Sequence, residues 1–327
     1  MLAVIAGCGA SDRNYDAFWT TLDERYAVFT ERLPAGDWDA LRDEHRPSER
    51  GRDALLDALV ALARELDDGH TTIRGTDAWV DVYPHYDTLY GLELNAEDRY
   101  LDGPLSWGAE DEFAWGRAGD VGYLSITSMD ALSRKDTERA DVDAAVAATE
   151  LALADLADTT GLIVDVRANE GGWDAVSLAI AAAFTGERSL AWSEARRNGP
   201  AHDDFGPFED VFVDASDAYD APVILLTSGG TFSAAETFAM AMGGRARVTL
   251  LGEPTSGHLS DMIDGQLPNG WNFTFSGERY RAADGEFYEA RGIPVDVEVP
   301  LDPDAVATGV DAMLEAALAT LNDSDQG

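Results

Sequence analysis

Lysine is almost missing from this chain: Lys135 is the one lysine among 23 basic residues, and every other basic side chain is arginine. Set against 62 Asp and Glu, that gives a formal net charge of −39. A chain this acidic has no basic surface with which to neutralise phosphates, which excludes nucleic acid as a principal partner. Cysteine is as scarce. Cys8 stands alone in 327 residues, so an internal disulfide framework is excluded. No apolar run reaches the roughly 18 residues that a membrane-spanning helix needs. The five histidines, at 45, 70, 85, 202 and 258, have no ligand spacing with one another or with Cys8, so no metal is expected. A glycine-rich phosphate cradle of the P-loop or dinucleotide type is also lacking, so no cofactor is expected.

What is present is ordinary for a globular protein: 45% apolar and 26% charged residues. The length suggests about two domains and is enough to bury a core. The acidic residues are dispersed along the chain rather than gathered in a tail. Dispersion with almost no lysine reads as adaptation to high salt, where self-repulsion is screened, rather than as a cation-binding or basic-substrate surface. Near the start, Leu2-Ala3-Val4-Ile5-Ala6-Gly7-Cys8 resembles a lipobox, although no basic segment precedes it and the apolar run is short. A lipobox would make Cys8 the lipidation site of a membrane-attached, extracytoplasmic lipoprotein. The other reading is an ordinary apolar N-terminus of a cytoplasmic protein. Residues 1–12 are set aside as a signal remnant.

Tyr15, Phe18, Trp19, Leu22, Tyr26 and Phe29 recur at helical steps. Pro34-Ala35-Gly36 breaks that stripe, and Asp37 is placed to cap a short helix from Trp38 to His45. Leu55, Leu56, Leu59, Val60, Leu62 and Leu66 form a third stripe, so residues 13–68 read as a helical subdomain. From Thr71 the period shortens to that of strands, at Thr71–Arg74, Trp79–Tyr83, Thr88–Leu94 and Gly122–Ile126. Continuous apolar strands follow at Gly161–Val166, Pro222–Leu226 and Arg247–Leu251. Helices are expected at Asp136–Ala157, Asp174–Phe184 and Ser233–Met242. This alternation indicates an α/β core with buried, largely parallel strands, over 69–327. Residues 266–299 return to strand-like alternation and a helix from Asp304 to Leu321 closes the chain. Asn198–Ala218 has no periodicity and reads as a loop over a site.

Four segments can carry chemistry. Thr227-Ser228-Gly229-Gly230-Thr231-Phe232-Ser233-Ala234-Ala235-Glu236 runs from a buried strand into a helix. A hydroxyl there meets the positive end of the helix and its unused amides, a setting for an oxyanion. The same residues also read as a capping box, Ser233 with Glu236 three positions on. Leu66-Asp67-Asp68-Gly69-His70-Thr71 offers a histidine as general base, or a surface histidine in a helix-ending turn. Asp165-Val166-Arg167-Ala168-Asn169-Glu170-Gly171-Gly172 follows a buried strand, with glycines that let backbone approach a ligand and Arg167 and Asn169 to brace the turn. The fourth segment is Asp284–Pro294, with Glu289-Ala290-Arg291-Gly292-Ile293 at its centre.

In their order, together with Gly252-Glu253-x-Thr255-x-Gly257, these segments resemble the tail-specific (C-terminal-processing) serine peptidases over Tyr15 to Val299. That family has a ClpP/crotonase-type α/β fold, and the resemblance implies hydrolysis of peptide or protein substrates through an acyl-enzyme. Family members with a Ser–Lys dyad carry their lysine where this chain has His258, and Lys135 lies far from every motif. The chain is more similar to the tricorn-core branch, which uses a histidine base. That branch implies Ser233 as nucleophile, His70 as base and Glu289 completing the charge network. The amides of Ala234 and of Gly171 or Gly172 would then form the oxyanion hole, with His258 as a rival base. Where tricorn-like sites have a serine before the histidine, this chain has Gly69. The stretch from His70 to Tyr123 is too short for the PDZ domain that many members insert. A non-catalytic, retinoid-binding-like protein for apolar ligands on the same fold is the alternative. Acyl-CoA chemistry of the crotonase kind rests on fold kinship alone. The oligomeric state is open.

Overall fold

The computed structural model describes residues 10–34, 36–75, 79–81, 83, 97–135, 137–216, 218–302, 304, 305 and 308–324. Cys8, His85 and the expected strand Thr88–Leu94 lie outside them. The chain divides into two compact units. One comprises Met1–Asp87, Glu194–Glu209 and Ser260–Tyr280, and the other Thr88–Ser193, Asp210–Leu259 and Arg281–Gly327.

In the first unit the helices Ala10–Arg25, Phe29–Arg32, Trp38–Glu44 and Arg52–Arg64 precede strands β1 (Thr72–Arg74) and β2 (Trp79–Asp81). Together with β11 (Met262–Gln266) and β12 (Asn272–Ser276) these strands form an antiparallel sheet in the order β11-β12-β1-β2. The helical stripes bury against it: Tyr15, Phe18, Leu22, Leu59 and Leu62 share a core with Phe273 and Phe275, and Phe18 meets Phe273 edge-on at 4.8 Å. Asp37 caps its helix by accepting from the Ala40 amide at 3.0 Å. The first stripe is two helices rather than one. The Ala27 amide donates to the Ser276 carbonyl oxygen of β12 (3.0 Å) instead of continuing the helical ladder.

The second unit is built on a seven-stranded sheet. Its strands are β3 (Ser106–Gly108), β4 (Phe113–Ala118), β5 (Val121–Ile126), β6 (Gly161–Asp165), β9 (Val223–Thr227), β10 (Val248–Gly252) and β14 (Val297–Glu298). The order is β14-β10-β9-β6-β5-β4-β3. From β5 to β14 every pairing is parallel, and the β3-β4-β5 edge is antiparallel. Alternate residues of a strand point to opposite faces. Ile163, Ile224 and Leu226 pack under Met313, Leu314 and Ala317 of the C-terminal helix Ala312–Ser324. Their neighbours Leu162, Val164 and Leu225 are fully buried as well. Both faces are therefore covered, which is why these strands read as unbroken apolar runs. Helix Asp174–Ala182 packs between Glu138–Asp155 and Ala234–Met242.

Strands β7 (Ser189–Arg196), β8 (Glu209–Val213) and β13 (Glu278–Ala282) lie where the chain passes between the units. The stretch expected as a loop, Asn198–Ala218, thus contains β8. Its first part is a tied turn: Asp204 accepts from the Ala201 amide (3.0 Å), and Arg197 donates to the carbonyl oxygens of Gly199, Pro200 and Ala201. The last helix begins at Ala312, later than its apolar pattern suggests. Gly309 turns the chain at φ 79, and Asp311 accepts from the Leu314 amide at 3.0 Å.

Candidate active site

Because β6, β9 and β10 are adjacent and parallel, the segments that leave their C-terminal ends emerge at one edge of the sheet. Those segments are Val166–Trp173, Ser228–Ser233 and Glu253–Leu259, three of the motifs singled out above. Backbone bonds join them: the Phe232 amide donates to the Asn169 carbonyl oxygen, and the Ser256 amide to that of Thr231, both at 3.0 Å. Ser228 and Thr231 hydroxyls donate back to the carbonyl oxygens of Arg167 (2.7 Å) and Val166 (2.9 Å).

Ser233 sits half-buried at the mouth of helix Ala234–Met242, at φ 54 and ψ −124. A serine in this region is strained by about 1–3 kcal/mol, and surrounding contacts must hold it there. One contact comes from Glu236, whose carboxylate accepts from the Ser233 amide at 3.2 Å, the reach-back half of a capping box. Another is Gly171, at φ 96. A Cβ on it would lie 2.6 Å from the Ser233 Cβ and 2.8 Å from the Ala234 nitrogen. Only glycine allows that approach. Asn169 sets the turn, donating to the Ile126 carbonyl oxygen (3.0 Å) and accepting from the Gly171 amide (2.8 Å). The Gly171 amide is therefore engaged, whereas those of Gly172 and Ala234 have no partner among the described residues.

His258 is buried and its ring stacks on Phe232, the residue before Ser233, with centroids 4.7 Å apart. Its Nδ1 lies 2.8 Å from the Ser256 hydroxyl, and its amide donates to Glu236 at 2.7 Å. Glu289, also buried, accepts from the next amide, that of Leu259, at 2.9 Å. The 289–293 turn is locked to this segment: the Ala290 amide donates to the Gly257 carbonyl oxygen (2.8 Å) and the Ile293 amide to the Thr255 hydroxyl (2.7 Å). Ser233, Ala234, Gly171, Gly172, His258 and Glu289 thus belong to one unit, joined by these bonds.

His70 belongs to the other unit. Its amide donates to Asp68 (2.9 Å) and its carbonyl oxygen accepts from Thr274 of β12 (2.7 Å), so the turn itself and one strand fix its backbone. Complete burial lowers its pKa to about 4; Asp68 opposes the shift and Arg32 adds to it. The imidazole is neutral at pH 7, the state a general base requires. The other described histidines are in ion-pairing positions, His45 with Glu65 (3.0 Å) and His202 with Asp23 (2.9 Å).

Two participants escaped the sequence reading. Glu236 was legible as a cap but not as the acceptor for a distant loop. Asp311 had no motif at all, yet it meets the guanidinium of Arg167 at 2.8 Å, opposite the bidentate grip of Asp165. Burial pushes the Asp165 carboxyl up, but Arg167 outweighs it and holds the group ionised, below the usual range. This buried trio anchors the strand end from which the Asn169 turn leaves. Among the described residues no group of three or more His, Cys, Asp or Glu side chains is arranged to hold a metal ion. No helix among them is long and apolar enough to cross a membrane.

Comparison with known proteins agrees with this architecture. The family model for Peptidase family S41 matches residues 120–299. A carboxyl-terminal-processing protease of Synechocystis is 27% identical over 201 residues, covering 61% of this chain and 43% of that protein. The chain thus spans less than half the length of this curated relative. Among solved structures, a putative peptidase from Parabacteroides merdae superposes with a TM-score of 0.83 at 26% identity, covering 96% of this chain and 97% of the other. The tricorn protease superposes with a TM-score of 0.57 at 15% identity, over 97% of this chain and 37% of its own, a likeness of fold alone.

Proposed function

Because the chain belongs to Peptidase family S41, we propose that it is a serine-type peptidase acting on peptides or protein tails, with Ser233 as nucleophile. The observation that carries this reading is the Ser233 turn. A strained serine at a helix mouth, pressed against Gly171, lies beside two amides of its own unit, those of Ala234 and Gly172, that have no partner among the described residues. The Ser233 hydroxyl would add to the scissile carbonyl carbon and give its proton to a histidine. The amides of Ala234 and Gly172 would hold the resulting oxyanion. As the C–N bond breaks, the histidine returns the proton to the leaving amine, and water repeats the sequence on the acyl-enzyme.

His70 enters as the base through its motif and its neutral imidazole, and Glu289 as the buried carboxylate of the same branch. A second reading, with His258 as base, is favoured by one observation: its segment is bonded to the same carboxylate as the Ser233 amide. A fluorophosphonate probe at high salt decides the first point. Ser233 should be labelled in wild type and no label should appear in Ser233→Ala; absence of wild-type labelling would sink the assignment. His70→Ala and His258→Ala decide the base: the true one abolishes acylation, by about a thousandfold or more. Should wild type not label and an apolar ligand co-purify, the binding-protein reading replaces this one. Lipidation at Cys8 and an extracytoplasmic location are part of the proposal, and mass spectrometry of the N-terminal peptide checks them.

A further inference from the structure

Glu236 makes more bonds than a helix cap requires. Its side chain is completely buried and accepts four hydrogen bonds. Oε1 accepts from the Thr255 hydroxyl and the Gly257 amide, both at 2.6 Å. Oε2 accepts from the His258 amide at 2.7 Å and the Ser233 amide at 3.2 Å. A cap needs only the last of these; the other three come from a segment about twenty residues further along. Thr255 extends the connection, because its hydroxyl accepts from the Ile293 amide, beside the turn whose Glu289 takes the Leu259 amide.

We propose that Glu236 is a positioning residue, one carboxylate that fixes the Ser233 backbone and the His258 segment relative to each other. The inference rests on Ser233 being the nucleophile, and it goes beyond that reading by naming what holds the nucleophile turn in register. Three of the four donors are backbone N–H groups, which cannot accept a proton in return. The full set of bonds therefore belongs to the ionised carboxylate. Burial works the other way and raises its pKa to about 7, with the Thr255, His258 and Gly257 donors opposing and the like charge of Glu289 adding. The titratable side chain that acts on it is Glu289; His258 meets it through the backbone amide, its ring lying on Phe232 and beside Ser256. A proton on Oε2 would displace one of its two amide donors, and the Ser233 amide, at the longer distance, is the weaker held.

The test compares wild type, Glu236→Gln and Thr255→Val at equal Tm-corrected temperature. Fluorophosphonate inactivation measures the acylation step, and backbone hydrogen exchange reports the amides one by one. In Glu236→Gln kinact should fall about 100-fold while KI stays within about threefold. The acid limb of the wild-type kinact profile should be lost, and protection should drop together at Ser233, Gly257 and His258. Thr255→Val, which keeps the carboxylate and guards against a Glu236 variant that does not fold, should lower kinact about tenfold. A folded Glu236→Gln that labels at the wild-type rate, or loses protection at Ser233 alone, overturns the proposal. So does a Thr255→Val that acylates normally. If wild type is not labelled, the nucleophile assignment is what fails, and the exchange pattern still decides whether Glu236 joins the two segments.

Discussion

Ser233 is held at a backbone conformation that few residues other than glycine adopt, and the space beside it is closed by Gly171. Gly171→Ala should therefore lose about 2 kcal/mol or more of stability and most of its probe labelling. Calorimetry and labelling check this, and a variant unchanged in both would mean that the two residues do not meet so closely. The pKa values give a second test. His70 is lowered from 6.5 to about 4, so between those values the unfolded chain binds a proton that the folded chain refuses, and stability from this group falls as pH falls. Glu236 is raised from 4.5 to about 7, so the folded chain keeps a proton there and stability from this group rises as pH falls. The two contributions oppose each other between about 4.5 and 6.5. His70→Gln removes one of them, and its Tm relative to wild type should climb steadily as pH is lowered through that window. A constant difference would show that His70 is not buried neutral.

At the scale of elements, the motif segments cohere because three adjacent parallel strands end at the same edge. The strand end is in turn fixed by Arg167 between Asp165 and Asp311, all buried. Arg167→Met leaves two buried carboxylates without their counter-charge, which should cost about 3–5 kcal/mol. The triple variant Arg167→Met, Asp165→Asn, Asp311→Asn should be the more stable of the two, since no uncompensated charge remains. Denaturant unfolding of both proteins gives the comparison, and a single variant as stable as the triple would contradict it. The apolar strands and their order along the chain were legible because strands covered on both faces carry no polar alternation. The break after the first helix was not. Tyr26 and Phe29 keep helical spacing while the Ala27 amide is captured by Ser276, a residue far away in sequence.

Across the whole molecule, charge decides how stability responds to the solvent. With −39 spread along the chain, self-repulsion opposes compact states at low ionic strength, and the Debye length shrinks from about 10 Å at 0.1 M salt to about 3 Å at 1 M. Tm should accordingly rise by about 5 °C or more between 0.1 and 2 M NaCl, with KCl equivalent if screening rather than a specific cation site is responsible. A Tm that falls or stays flat would refute salt adaptation. Scanning calorimetry in the two salts is sufficient.

Composition and local pattern were enough to establish an acidic α/β chain, a helical lead-in and four motif segments in a family's order, since burial periodicity and short motifs are written in neighbouring residues. Which amide remains available beside Ser233, and that Gly171 spends its own on Asn169, followed only from folding. So did the grip of Glu236 on His258 and of Asp311 on Arg167. The last two relations join residues 22 and 144 positions apart, and no local pattern encodes the distance between groups that meet only when the strands align.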